Sequence, residues 1–216
     1  MGLPRIASYA LPSAAEMPSA RAGWVFDPSR AALLIHDMQN YFVAAFEPDA
    51  SPIAPVIDNI ARLRAMCRKV GMPVFYTAQN GNQDRRDRGL QADLWGAGMS
   101  DAPEHQHIID RLSPEEGDIV LVKHRYSAFQ LSNLQHLMQV RGRDQMVICG
   151  VYAHIGCLLT AAEAFQRDIK PFFVGDTVAD FSRERHDMAL AYVAATCGVP
   201  LALETLREAL EGRIAA

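Results

Sequence analysis

Three strand-like runs in this sequence end on residues equipped to move protons or hold anions. Ala31-Ala32-Leu33-Leu34-Ile35-His36 runs into Asp37, and Asp118-Ile119-Val120-Leu121-Val122 runs into Lys123. The third run, Met146-Val147-Ile148-Cys149, enters Gly150-Val151-Tyr152-Ala153-His154-Ile155-Gly156-Cys157, which precedes the helix-like stretch from Leu158 to Phe165. Open parallel sheets bind ligands outside the carboxyl ends of their strands, where helix N-termini point amides at substrate oxygens. An acid, a base and an amide-rich turn are therefore expected to converge on one edge of a sheet. Gln79 and Tyr152 add neutral hydrogen-bond donors at strand ends, and the amide of Gly156 can approach an oxygen closely because no side chain intervenes.

The elements that would position these groups alternate along the chain. After the first strand, Val56, Ile57, Ile60, Leu63, Cys67 and Val70 recur at helical spacing and Gly71 supplies a stop. Further strands are expected over residues 73 to 78, 118 to 122, 145 to 149, 171 to 174 and 199 to 203. Helices are expected over 133 to 140, after an N-cap at Ser182, and at the C-terminus. Strands alternating with helices predict an α/β protein of three layers, α/β/α, around a mostly parallel six-stranded sheet covered on both faces. Residues 1 to 30, with Pro4, Pro12, Pro18 and Pro28, read as an irregular arm anchored by Trp24 and Phe26. The polar, glycine-rich stretch from Gln79 to Gly98 breaks the rhythm, and Trp95 within it suits a loop that closes over a ligand.

Composition narrows the field. Half of the 216 residues are hydrophobic, enough for one sizeable core, and one domain over 1–216 is expected. The net charge of −4, with Lys and Arg scattered, offers no basic stripe for nucleic acid or an anionic membrane. No apolar run nears the roughly 20 residues of a membrane span. Cys67, Cys149, Cys157 and Cys197 show no CxxC spacing, and no apolar export segment opens the chain, so a reduced, cytoplasmic setting is expected. The seven histidines show no HExxH-like spacing, and neither metal nor organic cofactor is expected. His36 adjoins Asp37 but, on a strand, is expected to face the opposite way.

Several motifs in a shared order carry a resemblance. They are Leu34-Ile35-His36-Asp37-Met38-Gln39 with Tyr41-Phe42, Tyr76-Thr77-Ala78-Gln79, Leu94-Trp95-Gly96-Ala97-Gly98, Lys123 with Arg125-Tyr126-Ser127-Ala128-Phe129, Gly142-Arg143-Asp144-Gln145, Gly150 to Cys157, Asp168-Ile169-Lys170-Pro171-Phe172 and Ala179-Asp180-Phe181-Ser182. Together they resemble the isochorismatase family from about Leu3 to Glu204, nearest to its siderophore-pathway and phenazine-pathway branches. Related cysteine hydrolases carry a nucleophilic cysteine at the corner of the strand-to-helix turn. Aligning the turn places Gly156 there, and Cys157, one residue late, is expected to be a small buried apolar residue. Nicotinamidases carry an Asp-x-His metal element where this chain has Thr77-Ala78-Gln79-Asn80, so no metal is implied. His124 stands where relatives usually show tryptophan.

The resemblance implies a dicarboxylate substrate bearing an enolpyruvyl vinyl ether. Hydrolysis needs a proton on the terminal methylene carbon, capture of the oxocarbenium ion by water, and collapse of the hemiketal to pyruvate and a dihydrodiol. Because no covalent enzyme intermediate is needed, glycine can stand at the corner. The tool required is a carboxylic acid with a raised pKa, and Asp37 matches the family's acid. Lys123 would oppose that protonation if adjacent, so it is expected to hold a substrate carboxylate or the ether oxygen. Arg88 matches a family substrate-binding arginine, and Phe42 and Trp95 are the implied apolar walls. The competing readings are an aspartate that caps its turn and an arginine that is a solvated loop charge. Arg125 and Tyr126 are expected to support the site or tie down the loop, and His154 to be structural. Isochorismate and its 2-amino-2-deoxy analogue remain alternatives, and a cysteine amidohydrolase using Cys157 is a third. No aryl carrier domain is expected, since the sequence stops at Ala216 without a phosphopantetheine-bearing serine. The resemblance also implies a homodimer.

Overall fold

The computed structural model describes residues 3–214. In chain order its elements are β1 (Ala31–His36), α1 (Asn40–Val43), α2 (Ile53–Lys69), β2 (Val74–Ala78), α3 (Arg85–Arg88), α4 (Gln91–Trp95), α5 (Pro103–Gln106) and β3 (Ile119–Val122). There follow α6 (Leu134–Val140), β4 (Gln145–Val151), α7 (Leu158–Gln166), β5 (Lys170–Ala179), α8 (Arg183–Thr196), β6 (Val199–Leu201) and α9 (Leu203–Ile214). The six strands lie in the order β3-β2-β1-β4-β5-β6, and every neighbouring pair is parallel.

Strand side chains alternate between two faces, and in β1 that alternation sorts the core. Leu33 and Ile35 join Val56, Ile60 and Leu63 of α2 and Leu206 and Leu210 of α9. Ala32 and Leu34 join Leu134 and Met138 of α6, Ala161 of α7 and Leu190 and Val193 of α8. The three layers expected from the pattern are therefore present, with all the side chains of β1 buried. Ser182 caps α8 as anticipated, its hydroxyl accepting from the amide of Arg185. Two strands outrun the expected ranges: β4 continues to Val151 and β5 to Ala179, and both extensions border the functional edge.

The arm before β1 is irregular, as expected, and tethered by aromatic contacts of Trp24 with Phe165 and Phe26 with Phe172. Its Ile6 amide also bonds the carbonyl of Ala45. Among the described residues no helix is long and apolar enough to cross a membrane.

This strand order has one reversal: from β1 the chain winds outward through β2 to β3, then returns to place β4 on the other side of β1. At such a switch point the two following loops diverge and open a crevice at the carboxyl ends. Asp37 leaves β1 there and Tyr152 leaves β4. The strands approach closely at that end, since a β-carbon on Gly150 would lie 2.1 Å from the carbonyl oxygen of His36. Only glycine suits that approach and the φ of 111° at Gly150.

Candidate active site

A cavity opens at this crevice, where the loops after β1 and β4 diverge. It is lined by all eight residues singled out above: Asp37, Phe42, Gln79, Arg88, Trp95, Lys123, Tyr152 and Gly156. Sequence positions 37 and 156 are thus brought to one wall by the parallel pairing of β1 with β4.

Asp37 lies at the floor. Its φ of 49° turns the chain sharply at the strand end, and its amide is anchored on the Thr77 hydroxyl at 3.1 Å. That hydroxyl donates in turn to Asp37 Oδ1 at 2.6 Å. Gln79 Nε2 donates to Oδ2 at 3.1 Å, and Lys123 Nζ stands 2.9 Å from the same oxygen. Lys123 reaches it from the segment after β3, with Nζ also donating to the carbonyl of Arg125 at 2.9 Å. Both partners are almost fully shielded from solvent.

The electrostatic outcome corrects one expectation. Burial pushes the Asp37 carboxyl up, but Lys123, His36 and the Thr77 hydrogen bond together outweigh it and hold the group below its ordinary value. In the free site Asp37 is a carboxylate, whereas the reaction chemistry predicts a raised pKa. The physical reason is convergence: burial is the largest single influence, and the Lys123 ammonium at 2.9 Å outweighs it only in concert with His36 and Thr77.

Arg88 is on α3, whose N-cap Asp84 accepts from the amide of Arg86. Its Nε donates to the Gly96 carbonyl at 2.6 Å, and the guanidinium lies so close over Gly98 that a β-carbon there would be 2.5 Å from Nη1. The side chain is buried, and burial pushes its pKa down. None of the ion pairs among the described residues involves Arg88. A solvated loop charge would be exposed, so that alternative fails.

The Gln79 to Gly98 segment is more ordered than a loop, folding into α3 and α4. Trp95 ends α4, and its Nε1 donates to the Tyr126 hydroxyl at 2.7 Å. Arg125 ties the segment down by donating to the Asp87 carbonyl, while Tyr126 lines the cavity itself. Gln91 donates to the carbonyl of His124, which does not face the cavity.

Tyr152 departs from its expected use. Its hydroxyl donates to the Phe42 carbonyl at 2.8 Å, so the ring rather than a hydrogen-bond donor is what it offers a ligand. That ring packs on Phe181 at 4.5 Å and Phe42 at 6.1 Å, forming an aromatic wall. His154, expected to be structural, pairs with Asp180 at 2.5 Å.

Strand alternation predicts that His36 points away, and it does not. The turn at Asp37 interrupts the alternation, and the imidazole lines the cavity with Nδ1 at 3.8 Å from Asp37 Oδ2. Nδ1 also meets the Val151 carbonyl at 2.9 Å. Burial pushes the imidazole pKa down despite the nearby Asp37 carboxylate. Thr77, Gln39 and Phe181 likewise carry no role in the sequence reading. Gln39 clamps Gln79 through two bonds, accepting from its amide at 2.7 Å and donating to its carbonyl at 2.8 Å. The only sequence signal for these residues is their place inside the strand-end motifs.

Cys157 follows the expectation. It is fully buried among apolar neighbours, outside the cavity lining, and burial pushes its thiol well above the ordinary value. Among the described residues no cluster of three or more His, Cys, Asp or Glu can hold a metal ion.

Comparison with known proteins gives the geometry a family. The isochorismatase domain model matches residues 31–205. The isochorismatase of Bacillus subtilis (strain 168) is 52% identical, covering 98% of this chain and 68% of that protein. The phenazine biosynthesis protein PhzD of Pseudomonas fluorescens is 46% identical, covering 92% of this chain and 95% of that protein. Among solved structures, a cysteine hydrolase from Pseudomonas syringae pv. phaseolicola superposes with a TM-score of 0.80 at 22% identity, covering 90% of this chain and 98% of that one. That last likeness speaks for the fold alone. With the domain model spanning most of the sequence and relatives near half identity over almost its whole length, the chain belongs to the isochorismatase family.

Proposed function

We propose that this protein hydrolyses the vinyl ether of isochorismate to 2,3-dihydro-2,3-dihydroxybenzoate and pyruvate, by general-acid catalysis without a covalent intermediate. The observation that carries the reading is the set of groups facing one cavity: a buried carboxylate, Asp37, and two buried cations, Lys123 and Arg88, with glycine at the turn's corner and the buried Cys157 outside the lining. Two cations suit a dicarboxylate. When its carboxylates enter, they draw on the charge of Lys123 and place negative charge beside Asp37, and both effects raise the pKa of the acid. Asp37 then carries a proton to the methylene carbon, water adds to the oxocarbenium carbon and returns a proton to Asp37, and the hemiketal's carbon–oxygen bond breaks.

The same chemistry on 2-amino-2-deoxyisochorismate is a second reading, favoured by the relative named for phenazine biosynthesis. An amino group in place of a hydroxyl leaves both carboxylates, the groups the cations would grip, untouched. The single domain in a cytoplasmic setting, read from composition and cysteine spacing, and the homodimer implied by the family likeness belong to the same proposal. Sedimentation of the purified protein checks the oligomeric state.

The test is pyruvate release from each substrate, coupled to lactate dehydrogenase and NADH, with and without a chelator. Chelator-resistant pyruvate supports the reading, the ratio of kcat/KM chooses the substrate, and no pyruvate from folded protein overturns it. Cys157→Ala is expected to keep turnover within about twofold, because its thiol is protonated and outside the cavity. A near-complete loss with folding intact would instead favour cysteine chemistry. Lys123→Ala is expected to lower kcat/KM by about 100-fold or more, the size of a missing charge-assisted hydrogen bond in a dry site. Unchanged KM and kcat would remove Lys123 from the substrate's path.

A further inference from the structure

The glycine at the corner of the turn is dictated by a residue more than a hundred positions away in sequence. A β-carbon on Gly156 would lie 2.1 Å from Cε1 of His36, 2.8 Å from Nε2 and 2.9 Å from Nδ1. All three separations fall inside van der Waals distance, so even alanine must displace the ring. The ring has little freedom to yield. It is fully buried, Nδ1 holds the Val151 carbonyl at 2.9 Å, and Nε2 stands 3.3 Å from the Tyr126 carbonyl. Its backbone is fixed in β1 opposite Thr77 on one side and Gly150 on the other.

We infer that His36 is a specificity-determining residue: its imidazole fills the space a side chain at position 156 would need, keeping that corner bare backbone and barring any side-chain nucleophile from it. The inference deepens, and rests on, the non-covalent hydrolysis proposed above. An electrophilic carbon at this corner meets no side-chain atom of residue 156 that can attack it. The space beside Asp37 and Lys123 stays reserved for substrate and water. The same ring touches the last residue of β4 and the segment carrying Tyr126, so the barrier is built into the cavity wall.

The test pairs a double-mutant cycle with thiol chemistry. The denaturant midpoints of wild type, His36→Ala, Gly156→Ala and the double variant are compared. The shift caused by Gly156→Ala is expected to be at least about threefold smaller in the His36→Ala background. Equal shifts in both backgrounds overturn the inference. Should Gly156→Ala fail to fold, recovery of folded protein on adding His36→Ala supports the coupling and no recovery overturns it. In folded His36→Ala/Gly156→Cys, iodoacetamide is expected to modify residue 156 at least about tenfold faster than Cys67, Cys149, Cys157 or Cys197, all four of which are buried. An unreactive residue 156 in that folded protein also overturns the inference. Neither readout uses pyruvate release, so a failure here is distinct from a failure of the proposed hydrolysis.

Discussion

Asp37→Asn is expected to lower kcat for pyruvate release by about 10³-fold while leaving the fold intact, a decrease within the span of a removed general acid. Asparagine preserves volume, and its single amide oxygen can still accept from one of Thr77 and Lys123, which meet different oxygens of the native carboxylate. What it cannot do is deliver a proton to carbon. Retention of half of wild-type turnover would sink the assignment. The depressed pKa adds a sharper prediction. Free Asp37 is ionised at neutral pH, yet the proposed reaction needs it protonated, so on that reading productive binding takes up a proton. Calorimetric titration with an unreactive dicarboxylate analogue, in buffers of different ionisation enthalpy, is expected to show uptake near neutral pH that disappears in Asp37→Asn. Since free carboxylate must gain that proton, kcat/KM is expected to fall with rising pH throughout the range above the lowered pKa of free Asp37, neutrality included. A pH-independent rate with no proton uptake would mean that another group supplies the proton.

Such a proton balance is half visible in the sequence. The strand-end rule places Asp37, Lys123 and the turn before Cys157 on one edge, because an apolar run followed by an ionisable residue needs no tertiary knowledge to recognise. The distance between Asp37 and Lys123 does need it: β2 lies between β1 and β3, and only the register of three strands sets 2.9 Å. Direction is harder to read than position. Strict alternation puts His36 on the far face, and it fails because Asp37 adopts a positive φ and turns the chain at that point. Tyr152 reads correctly as a site residue, but its hydroxyl is claimed by a carbonyl on α1, a long-range partner with no local signature. Thr77 reads as part of a motif that lacks metal ligands, and its bond to Asp37 depends on the β1–β2 register that sets Thr77 beside His36. Elements follow from periodicity, whereas side-chain commitments follow from pairings across the sheet.

Arg88→Met is expected to raise KM by about 100-fold or more, with a smaller effect on kcat, and without lowering thermal stability. Buried cations are normally paired, and breaking a buried pair costs several kcal/mol because a charge is left uncompensated. Arg88 has no carboxylate partner in any ion pair among the described residues, and its Nε bonds only a backbone carbonyl. Removing it strands no counter-charge, and methionine's flexible chain fills most of the same volume. The free protein therefore carries a buried charge without a counter-ion, and on the proposed reading a substrate carboxylate would supply one. Removing a bidentate arginine–carboxylate pair from such a site accounts for the expected KM change at 1.36 kcal/mol per tenfold, about 2.7 kcal/mol in all. Arg88→Lys is expected to recover only part of the affinity, since an ammonium lacks the planar fork. Differential scanning fluorimetry supplies the second readout: substrate analogue is expected to raise Tm in wild type far more than in Arg88→Met. A large drop in the Tm of ligand-free Arg88→Met with KM unchanged would show instead that Arg88 serves the fold, and that the second carboxylate is held elsewhere.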